Sequence, residues 1–173
     1  MGSVLFSFDT QPLATTLIYA EESVEECENK EYPYKTRCYI DLAKETNNVT
    51  YCEFIEGDSI GKDRCYYQTA KEFLNFSYCY GIEDQQSHKD DCFHDIAIEL
   101  GDNELCWEII TKEIKEDCQL KIAIDTKDLD YCQTLPSDSF VSCISGIAQS
   151  LEDSSICENI TNSSQRDSCY FSY

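Results

Sequence analysis

The chain has 173 residues, enough for one domain of ordinary size, and its 13 Lys and Arg against 34 Asp and Glu give a formal net charge of −21. This acidic excess argues against a nucleic-acid-binding protein, because phosphates need cationic partners, and against adhesion to an anionic membrane surface. With 42% hydrophobic residues and a mean hydropathy of −0.45, the chain would approach the disordered class if apolar burial were its only source of stability. Its 12 cysteines supply another source.

Residues 1–23 form an apolar segment that precedes the repeats. Its two apolar stretches, 4–8 and 13–20, are separated by Asp9 and Pro12. The segment matches a secretion signal poorly because it lacks a basic start, and it is too short and broken to span a bilayer. We expect an extended arm that either folds over the first repeat of its own chain or docks on a neighbouring copy. The arm residues expected to take part in self-assembly are Val4, Leu5, Phe6, Phe8, Leu17, Ile18 and Tyr19.

Six repeats follow from residue 24 onwards, and the cysteines mark them. Successive cysteines are separated alternately by 14 residues and by 11 to 13, so the period is 25 to 27 residues. A fixed period in this range is typical of a solenoid, in which short units stack on their neighbours. The variable spacing is expected inside each unit, where a surface turn tolerates insertions. The expected units, repeats 1 to 6, are 24–48, 49–75, 76–102, 103–128, 129–153 and 154–173.

Each unit is predicted to be a helical hairpin, with a short first helix and a longer second one. The positions one before and three after the first cysteine are apolar in five of the six units, which is a helical spacing. Four and five residues after the second cysteine, pairs such as Ile96-Ala97 continue an apolar stripe on one helix face. Asn or Asp stands ten residues after that cysteine in every complete unit, where its side-chain oxygen would cap the next helix. The expected caps are Asn48, Asn75, Asp102, Asp128 and Asp153.

Hairpin geometry favours one disulfide within each unit. The midpoint of Cys106 and Cys118 is residue 112, in the predicted turn, so an antiparallel hairpin brings these cysteines level. Across the corner between units, Cys118 would lie about eight residues, or roughly 12 Å, before its helix ends, whereas a disulfide needs Cα atoms within about 7 Å. Pairing within units also uses every cysteine. The expected pairs are Cys27–Cys38, Cys52–Cys65, Cys79–Cys92, Cys106–Cys118, Cys132–Cys143 and Cys157–Cys169. Persistent disulfides require an oxidising compartment, so we expect an extracellular protein.

The chain carries no motif for catalysis, and no enzyme activity, cofactor or metal site is expected. It has no phosphate-binding glycine loop and no HExxH motif, and its cysteines are too widely spaced for a zinc site. Its two histidines, His88 and His94, are expected at or near the surface. No Ser or Cys nucleophile has an evident histidine partner, because the cysteines are assigned to disulfides.

Four Asn-x-Ser/Thr sequons would accept N-linked glycans in a secreted chain. Their asparagines are Asn48, Asn75, Asn159 and Asn162. Asn48 and Asn75 also occupy the expected cap position, which is a competing role. Asn162, in the turn of the last hairpin, is therefore the first candidate for glycosylation.

The two ends of the repeat array differ. In repeat 1, Glu26 and Lys30 replace the apolar pair, as on a polar capping helix. Repeat 6 lacks the Ile-Ala step, and Tyr170, Phe171 and Tyr173 follow its last cysteine closely. An apolar arm at one end and an exposed stack at the other favour head-to-tail association, which forms a fibre when it does not close.

The repeated pattern Tyr-Cys-x-x-Ile…Lys-Asp-x-Cys-Tyr-x-x-Ile-Ala resembles a short cysteine-bridged helical-hairpin repeat of secreted surface proteins predicted from uncultivated archaea. The resemblance covers residues 24–173 and implies nothing about activity. Tetratricopeptide and Sel1-like solenoids are similar in architecture alone, because their periods are longer.

The sequence therefore predicts an all-α chain, an α-solenoid of six disulfide-stapled helical hairpins with an N-terminal extended arm. The expected function is that of an extracellular structural protein, N-glycosylated and joined head to tail with copies of itself in a fibre or surface layer. The alternative is a monomeric secreted binding module that presents a concave solenoid face to a peptide or glycan.

Overall fold

The computed structural model describes residues 24–83 and 85–171, and the expected arm, residues 1–23, lies outside this part of the chain. The described residues form helices without any strand, which confirms the all-α class. The short first helices of the six hairpins are α1 (24–28), η1 (Val49–Phe54), η2 (Phe76–Gly81), η3 (Leu105–Glu108), α6 (Leu129–Cys132) and η4 (Ser154–Asn159). The longer second helices are α2 (Tyr34–Thr46), α3 (Ser59–Phe73), α4 (Gln86–Leu100), α5 (Lys112–Thr126), α7 (Ser137–Leu151) and α8 (Ser163–Phe171).

One disulfide closes each hairpin, and no cysteine is free. The pairing is the one expected from hairpin geometry: Cys27–Cys38, Cys52–Cys65, Cys79–Cys92, Cys106–Cys118, Cys132–Cys143 and Cys157–Cys169. Eleven of the twelve cysteines are at most 2% exposed, and Cys38 is half-buried. The disulfides therefore belong to the core between the two helices of each hairpin.

The long helices stack in chain order, from α2 on α3 to α7 on α8. The alanine five residues after the second cysteine is fully buried in all five complete repeats, where a small side chain lets neighbouring helices approach closely. These alanines are Ala43, Ala70, Ala97, Ala123 and Ala148. Each repeat contacts its neighbours through this buried row, which is the packing of a solenoid.

Four of the six short helices are 3-10 helices, a tighter form than the α-helix. Each ends with the N–H of an isoleucine donating to the carbonyl of the first cysteine, as from Ile82 to Cys79 at 3.2 Å. With three residues per turn, positions i and i+3 lie on the same side of a 3-10 helix. The isoleucine therefore points into the core with the cysteine. Ile55, Ile82, Ile109 and Ile160 are all at most 5% exposed.

A single residue ends one repeat and begins the next. The N–H of Asn75 donates to the carbonyl of Ala70 at 2.9 Å, and its side-chain Oδ1 accepts the N–H of Ser77 at 3.2 Å. The first bond completes a Schellman motif at the end of α3, and the second caps η2. All five expected caps make both kinds of bond. Because one residue serves two helices, the corner tolerates no change of length, which explains the constant spacing of 14 residues between the flanking cysteines.

The residue before each cap adopts the left-handed conformation, although only one of the five is glycine. These residues are Asn47, Leu74, Gly101, Lys127 and Glu152, with φ between 50° and 64°. A side chain with a Cβ pays roughly 1–2 kcal/mol for this conformation. At four of the five corners, the fixed spacing between helices is therefore kept although the left-handed residue has an unfavourable backbone conformation.

An ion pair joins the two helices of each of the first two hairpins. Lys35 lies 2.7 Å from Glu28, and Lys62 lies 2.6 Å from Glu53. The acid directly follows the first cysteine, and the lysine precedes the second by three residues. Hydrogen bonds from Lys62 and from the hydroxyl of Tyr66 lower the pKa of Glu53.

In the next two hairpins the same lysine position faces an aromatic ring instead of a carboxylate. The ammonium of Lys89 lies 5.6 Å from the ring centroid of Tyr80, and that of Lys115 lies 5.4 Å from that of Trp107. A cation over a ring face is attracted by the π-electrons. In all four hairpins the lysine thus joins the two helices, with a carboxylate as its partner in two of them and an aromatic ring in the other two.

The acid two residues before the second cysteine links repeat 3 to repeat 4. Asp90 is fully buried; its Oδ1 accepts the N–H of Ile110 at 3.0 Å and its Oδ2 that of Thr111 at 2.9 Å. Thr111 precedes α5 and makes no side-chain cap of its own, so Asp90 caps the long helix of the next repeat. Burial alone would raise the pKa of Asp90, but these hydrogen bonds outweigh burial and lower it.

Replacing the non-glycine residues at two corners should stabilise the protein. We expect K127G and E152G each to raise the free energy of unfolding by about 0.5–1 kcal/mol, because glycine adopts φ > 0 without steric cost. The two substitutions change net charge in opposite directions, so a shared increase in urea denaturation excludes a charge effect. G101A, at the equivalent corner, should lower the stability by about 1 kcal/mol. Equal stabilities for all three variants would contradict this reading of the corners.

Removing the Asp90 carboxylate should destabilise the stack. D90A removes the acceptor of the Ile110 and Thr111 N–H groups, and we expect a loss of about 2–3 kcal/mol in urea denaturation. D91A, at the exposed neighbouring residue, should change stability by less than about 0.5 kcal/mol.

The stability of the protein at acid pH should also depend on the Asp90 carboxylate. The pKa of Asp90 is lower in the folded chain, so its contribution is present at neutral pH and is lost as pH falls below about 4. D90A should accordingly lose less stability than the parent protein between neutral and acid pH. Identical acid profiles would show that Asp90 is not a stabilising carboxylate.

Candidate functional site

The forward face of a hairpin, which receives the next repeat, is formed by the residues after its second cysteine. The ring of Tyr39 in repeat 1 stacks on Phe54 of repeat 2, with centroids 5.6 Å apart. The ring of Tyr66 in repeat 2 lies so close to Gly81 of repeat 3 that a Cβ at residue 81 would overlap it. Glycine is therefore required at that point for the repeats to approach. These contacts make the forward face aromatic.

In repeat 6 the equivalent aromatic side chains have no following hairpin against them in the described residues. Phe171 occupies the position of Tyr67, which donates a hydrogen bond to Asp95 of the next repeat at 2.6 Å. Phe171 is instead 89% exposed. Tyr170 is half-buried, and its hydrogen bond to Glu158 raises the pKa of the hydroxyl. The forward face of repeat 6 is thus an aromatic surface that resembles the forward face of repeat 2, where Tyr66 and Tyr67 meet the next hairpin.

The opposite end has a different chemistry. A cleft of about 360 Å³ in hairpin 1 is lined by residues of that hairpin alone. Its rim carries the Glu26–Lys30 ion pair, at 2.7 Å, and Arg37 at 3.8 Å from Asp41, with the 70% exposed ring of Tyr34 beside them. Because one end is aromatic and the other is largely charged, an end-to-end contact would join unlike faces.

A groove crosses the long helices α2, α3 and α4. It consists of three hollows of about 350, 530 and 620 Å³ that share the side chain of Gln68. Arg64 lines two of them, is exposed, and has no ion-pair partner among the described residues, although the chain has an excess of acids. Tyr32 and Tyr34, 75% and 70% exposed, line the largest hollow. The smallest is lined in part by Asp63, which is 3% exposed and whose Oδ2 accepts no hydrogen bond within the described chain.

A polar network runs beside this groove across three long helices. Asp95 on α4 accepts hydrogen bonds from Tyr67 and Lys71 of α3, each at 2.6 Å. His94 lies 3.4 Å from Asp95 and 2.8 Å from Asp117 of α5. Burial would raise the pKa of Asp95, but the bonds from Lys71 and Tyr67 outweigh it and lower the pKa. The network therefore consists of paired charges that join neighbouring repeats.

The described residues do not assemble a catalytic or metal-binding constellation around the histidines. His94 is engaged by two carboxylates, and His88 lines the smallest hollow of the groove. No group of three or more His, Cys, Asp or Glu side chains suited to a metal ion occurs within residues 24–83 and 85–171. Every cysteine is part of a disulfide and unable to act as a nucleophile.

The sequon asparagines lie at the surface, and their side chains differ in use. Asn48 and Asn75 are half-buried caps whose Oδ1 atoms accept backbone N–H groups. Asn162 is exposed and accepts the N–H of Gln165 at 3.2 Å, whereas the Nδ2 of Asn159 donates to a backbone carbonyl. The expected assembly residues Val4, Leu5, Phe6, Phe8, Leu17, Ile18, Tyr19 and Tyr173 lie outside the described residues.

The alternative function implied a ligand-binding face, but the sequence did not predict which residues form this groove. Its residues come from three repeats and become neighbours only when those repeats stack. The one available signal was Arg64, a cation for which no acid stands at the usual i+4 position of its helix. The structure leaves Phe171 exposed and Tyr170 half-buried, and the part of both residues in self-assembly stays a prediction.

The helices of the described residues were compared with what a membrane span requires, and the chain was compared with known proteins. Within the part of the chain that the structure describes, no helix is long and apolar enough to cross a membrane. No family model matches the chain, and no curated protein and no solved structure matches it. The residues, their contacts and their charges are therefore the basis for inferring function.

Proposed function

We propose that this protein is an extracellular structural subunit that joins copies of itself head to tail into a fibre or surface layer. The observation that carries the proposal is Phe171, 89% exposed at a position where Tyr67 of repeat 2 meets the following repeat. An exposed aromatic side chain on a built stacking face favours a partner surface. The apolar arm, residues 1–23, is the segment of a neighbouring copy that we expect to cover it.

The charge of the chain supports end contacts over side contacts. At a net charge of −21, parallel copies repel one another along their lengths. A contact between the aromatic forward face and the charged opposite end joins unlike surfaces. It also brings fewer like charges close together than a contact along the sides would. Such a heterologous contact repeats without closing unless its rotation generates a ring, and it then builds a filament.

The disulfides support the location outside the cell. Six bridges, nearly all buried, form and persist only where thiols are not kept reduced. An extracellular chain would also expose its sequons to glycosylation, so N-linked glycans are part of the proposal.

Removing the aromatic side chain of Phe171 should weaken assembly. We expect F171S to raise the critical concentration for fibres roughly 30-fold, from the loss of about 2 kcal/mol per junction. Electron microscopy and sedimentation of the purified full chain would measure this. I110S is the control, because the side chain of Ile110 is also exposed, at 72%, and belongs to repeat 4 rather than to the forward face of repeat 6. Deleting residues 1–23 should have the same effect as F171S.

Salt separates this function from its alternatives. Added salt shortens the range of charge repulsion, so fibres of the parent protein should lengthen or associate laterally as salt rises. A parent protein that remains a sharp monomer at every salt concentration contradicts the proposal. It is also contradicted if I110S disrupts fibres that F171S leaves intact.

A second function, glycan binding by a monomer, is favoured by the groove over α2, α3 and α4. Its exposed Tyr32 and Tyr34 rings could stack on sugar faces, while Arg64 offers a free guanidinium to a carboxylate. Gln68 at the centre supplies both a donor and an acceptor for hydroxyl groups. These features suit an oligosaccharide that places one carboxylate at Arg64, because the rest of the lining includes acids such as Asp91 and Glu99.

Calorimetry with 3′-sialyllactose, an acidic trimer with one carboxylate, and with neutral lactose for comparison, tests the groove. We expect R64A to weaken binding of the acidic trimer by about tenfold or more, because a charge-assisted bidentate pair is lost. R166A, which removes an arginine outside the groove, should leave it unchanged. Equal affinity of R64A and the parent protein, or no binding by the parent protein, would reject this second function.

A further inference from the structure

We propose that Asn48 and Asn75 carry N-linked glycans on Nδ2 while their Oδ1 atoms continue to cap the following helices. The inference rests on the extracellular location in the proposed function. Capping and glycosylation then do not compete, because Oδ1 of each carboxamide makes the cap and Nδ2 carries the glycan.

The hydrogen bonds at both corners use the oxygen alone. Oδ1 of Asn48 accepts the N–H of Thr50 at 3.1 Å and its hydroxyl at 2.8 Å. Oδ1 of Asn75 accepts the N–H of Ser77 at 3.2 Å and its hydroxyl at 2.7 Å. The Thr or Ser that completes each sequon is thus the same residue that the asparagine caps. Neither Nδ2 makes a hydrogen bond within the described chain.

The corner before repeat 6 shows that this cap needs no amide nitrogen. Oδ1 of Asp153 accepts the N–H of Ser155 at 2.9 Å and its hydroxyl at 2.6 Å, which reproduces the geometry of the two asparagine corners. A carboxylate there is also favoured by the positive end of the helix dipole. The amide nitrogens of Asn48 and Asn75 are therefore surplus to the fold.

The remaining two sequons differ from these corners. The Nδ2 of Asn159 donates to the carbonyl of Ile156 at 2.8 Å, so its nitrogen is part of the fold. Asn162 caps with its oxygen, to the N–H of Gln165, and is compatible with a glycan. Among the four sequons, Asn159 is the one whose amide nitrogen already makes a hydrogen bond, which the single N–H left after glycosylation would have to keep.

The modification itself leaves the cap intact. Nδ2 attacks the anomeric carbon of a lipid-pyrophosphate-linked oligosaccharide supplied by the host, and the bond from that carbon to the pyrophosphate oxygen breaks. Nδ2 loses one proton, and the lipid pyrophosphate leaves. The product is a secondary amide that retains Oδ1 as an acceptor, so the bonds to Thr50 and Ser77 persist.

The glycans would cover the most apolar corner of the stack. Phe73, Leu74 and Phe76 are 38–40% exposed and lie within two residues of Asn75. Asn48 occupies the equivalent corner one repeat earlier. Two glycans on successive corners would shield one side of the stack from lateral contact and leave the end faces free.

Glycopeptide mapping of the full chain, secreted by a eukaryotic host and recovered from the medium, tests the assignment. Enzymatic deglycosylation in heavy-oxygen water converts each occupied asparagine to a labelled aspartate. We expect occupancy at Asn48 and Asn75. N48D and N75D should each lose one glycan. Produced without glycosylation, each should melt at the temperature of the parent protein produced in the same way, because aspartate supplies the same cap oxygen.

A gain of function provides the sharper control. D153N creates the sequon Asn-Ser-Ser at the equivalent corner and should add one glycan without unfolding the chain. Secreted protein that is glycosylated only at Asn159 or Asn162, or a folded D153N that gains no glycan, would overturn the inference. If the secreted chain forms fibres but carries no glycans at Asn48 and Asn75, the glycan inference fails and the proposed assembly stands. If the chain carries both glycans but remains a monomer, the proposed assembly fails and the glycan inference stands.

Discussion

A 3-10 helix of six residues, such as η1, cannot hold a 15-residue helix such as α3 in place by apolar contact alone, and a disulfide supplies the missing constraint. A bridge closing a loop of this size contributes about 2–3 kcal/mol by restricting the unfolded chain. It also sets the register between the two helices. Lys62 can then reach Glu53, and Lys89 the ring of Tyr80, because the bridge brings these positions level.

The corners transmit this register from one hairpin to the next. Each cap residue ends one helix with its N–H and begins the next with its side chain, which fixes the corner at a single length. The left-handed residues Leu74, Lys127 and Glu152 indicate that this register outweighs a local conformational cost. Asp90 adds a contact between repeats 3 and 4 from inside the stack. The disulfides thus stabilise each hairpin, and hydrogen bonds join neighbouring hairpins into the solenoid.

Local patterns were readable from the sequence because spacing determined them. The caps, the buried alanines and the disulfide pairing all follow from positions within one repeat or at one corner. The 3-10 form of helices such as η2 was not predictable, since an apolar residue three positions after a cysteine suits an α-helix equally well. The cap from Asp90 to Thr111 and the groove around Arg64 depend on which faces of neighbouring repeats meet, and no short-range pattern encodes that.

The proposed assembly and the proposed glycans both follow from a stack held together inside its own hairpins. The most direct test of that premise is far-UV circular dichroism during stepwise reduction of the native protein, with free thiols counted at each step. The account predicts that the helical signal falls as the disulfides open and is largely lost when all twelve cysteines are free. Full helicity in a chain with twelve free thiols would contradict it.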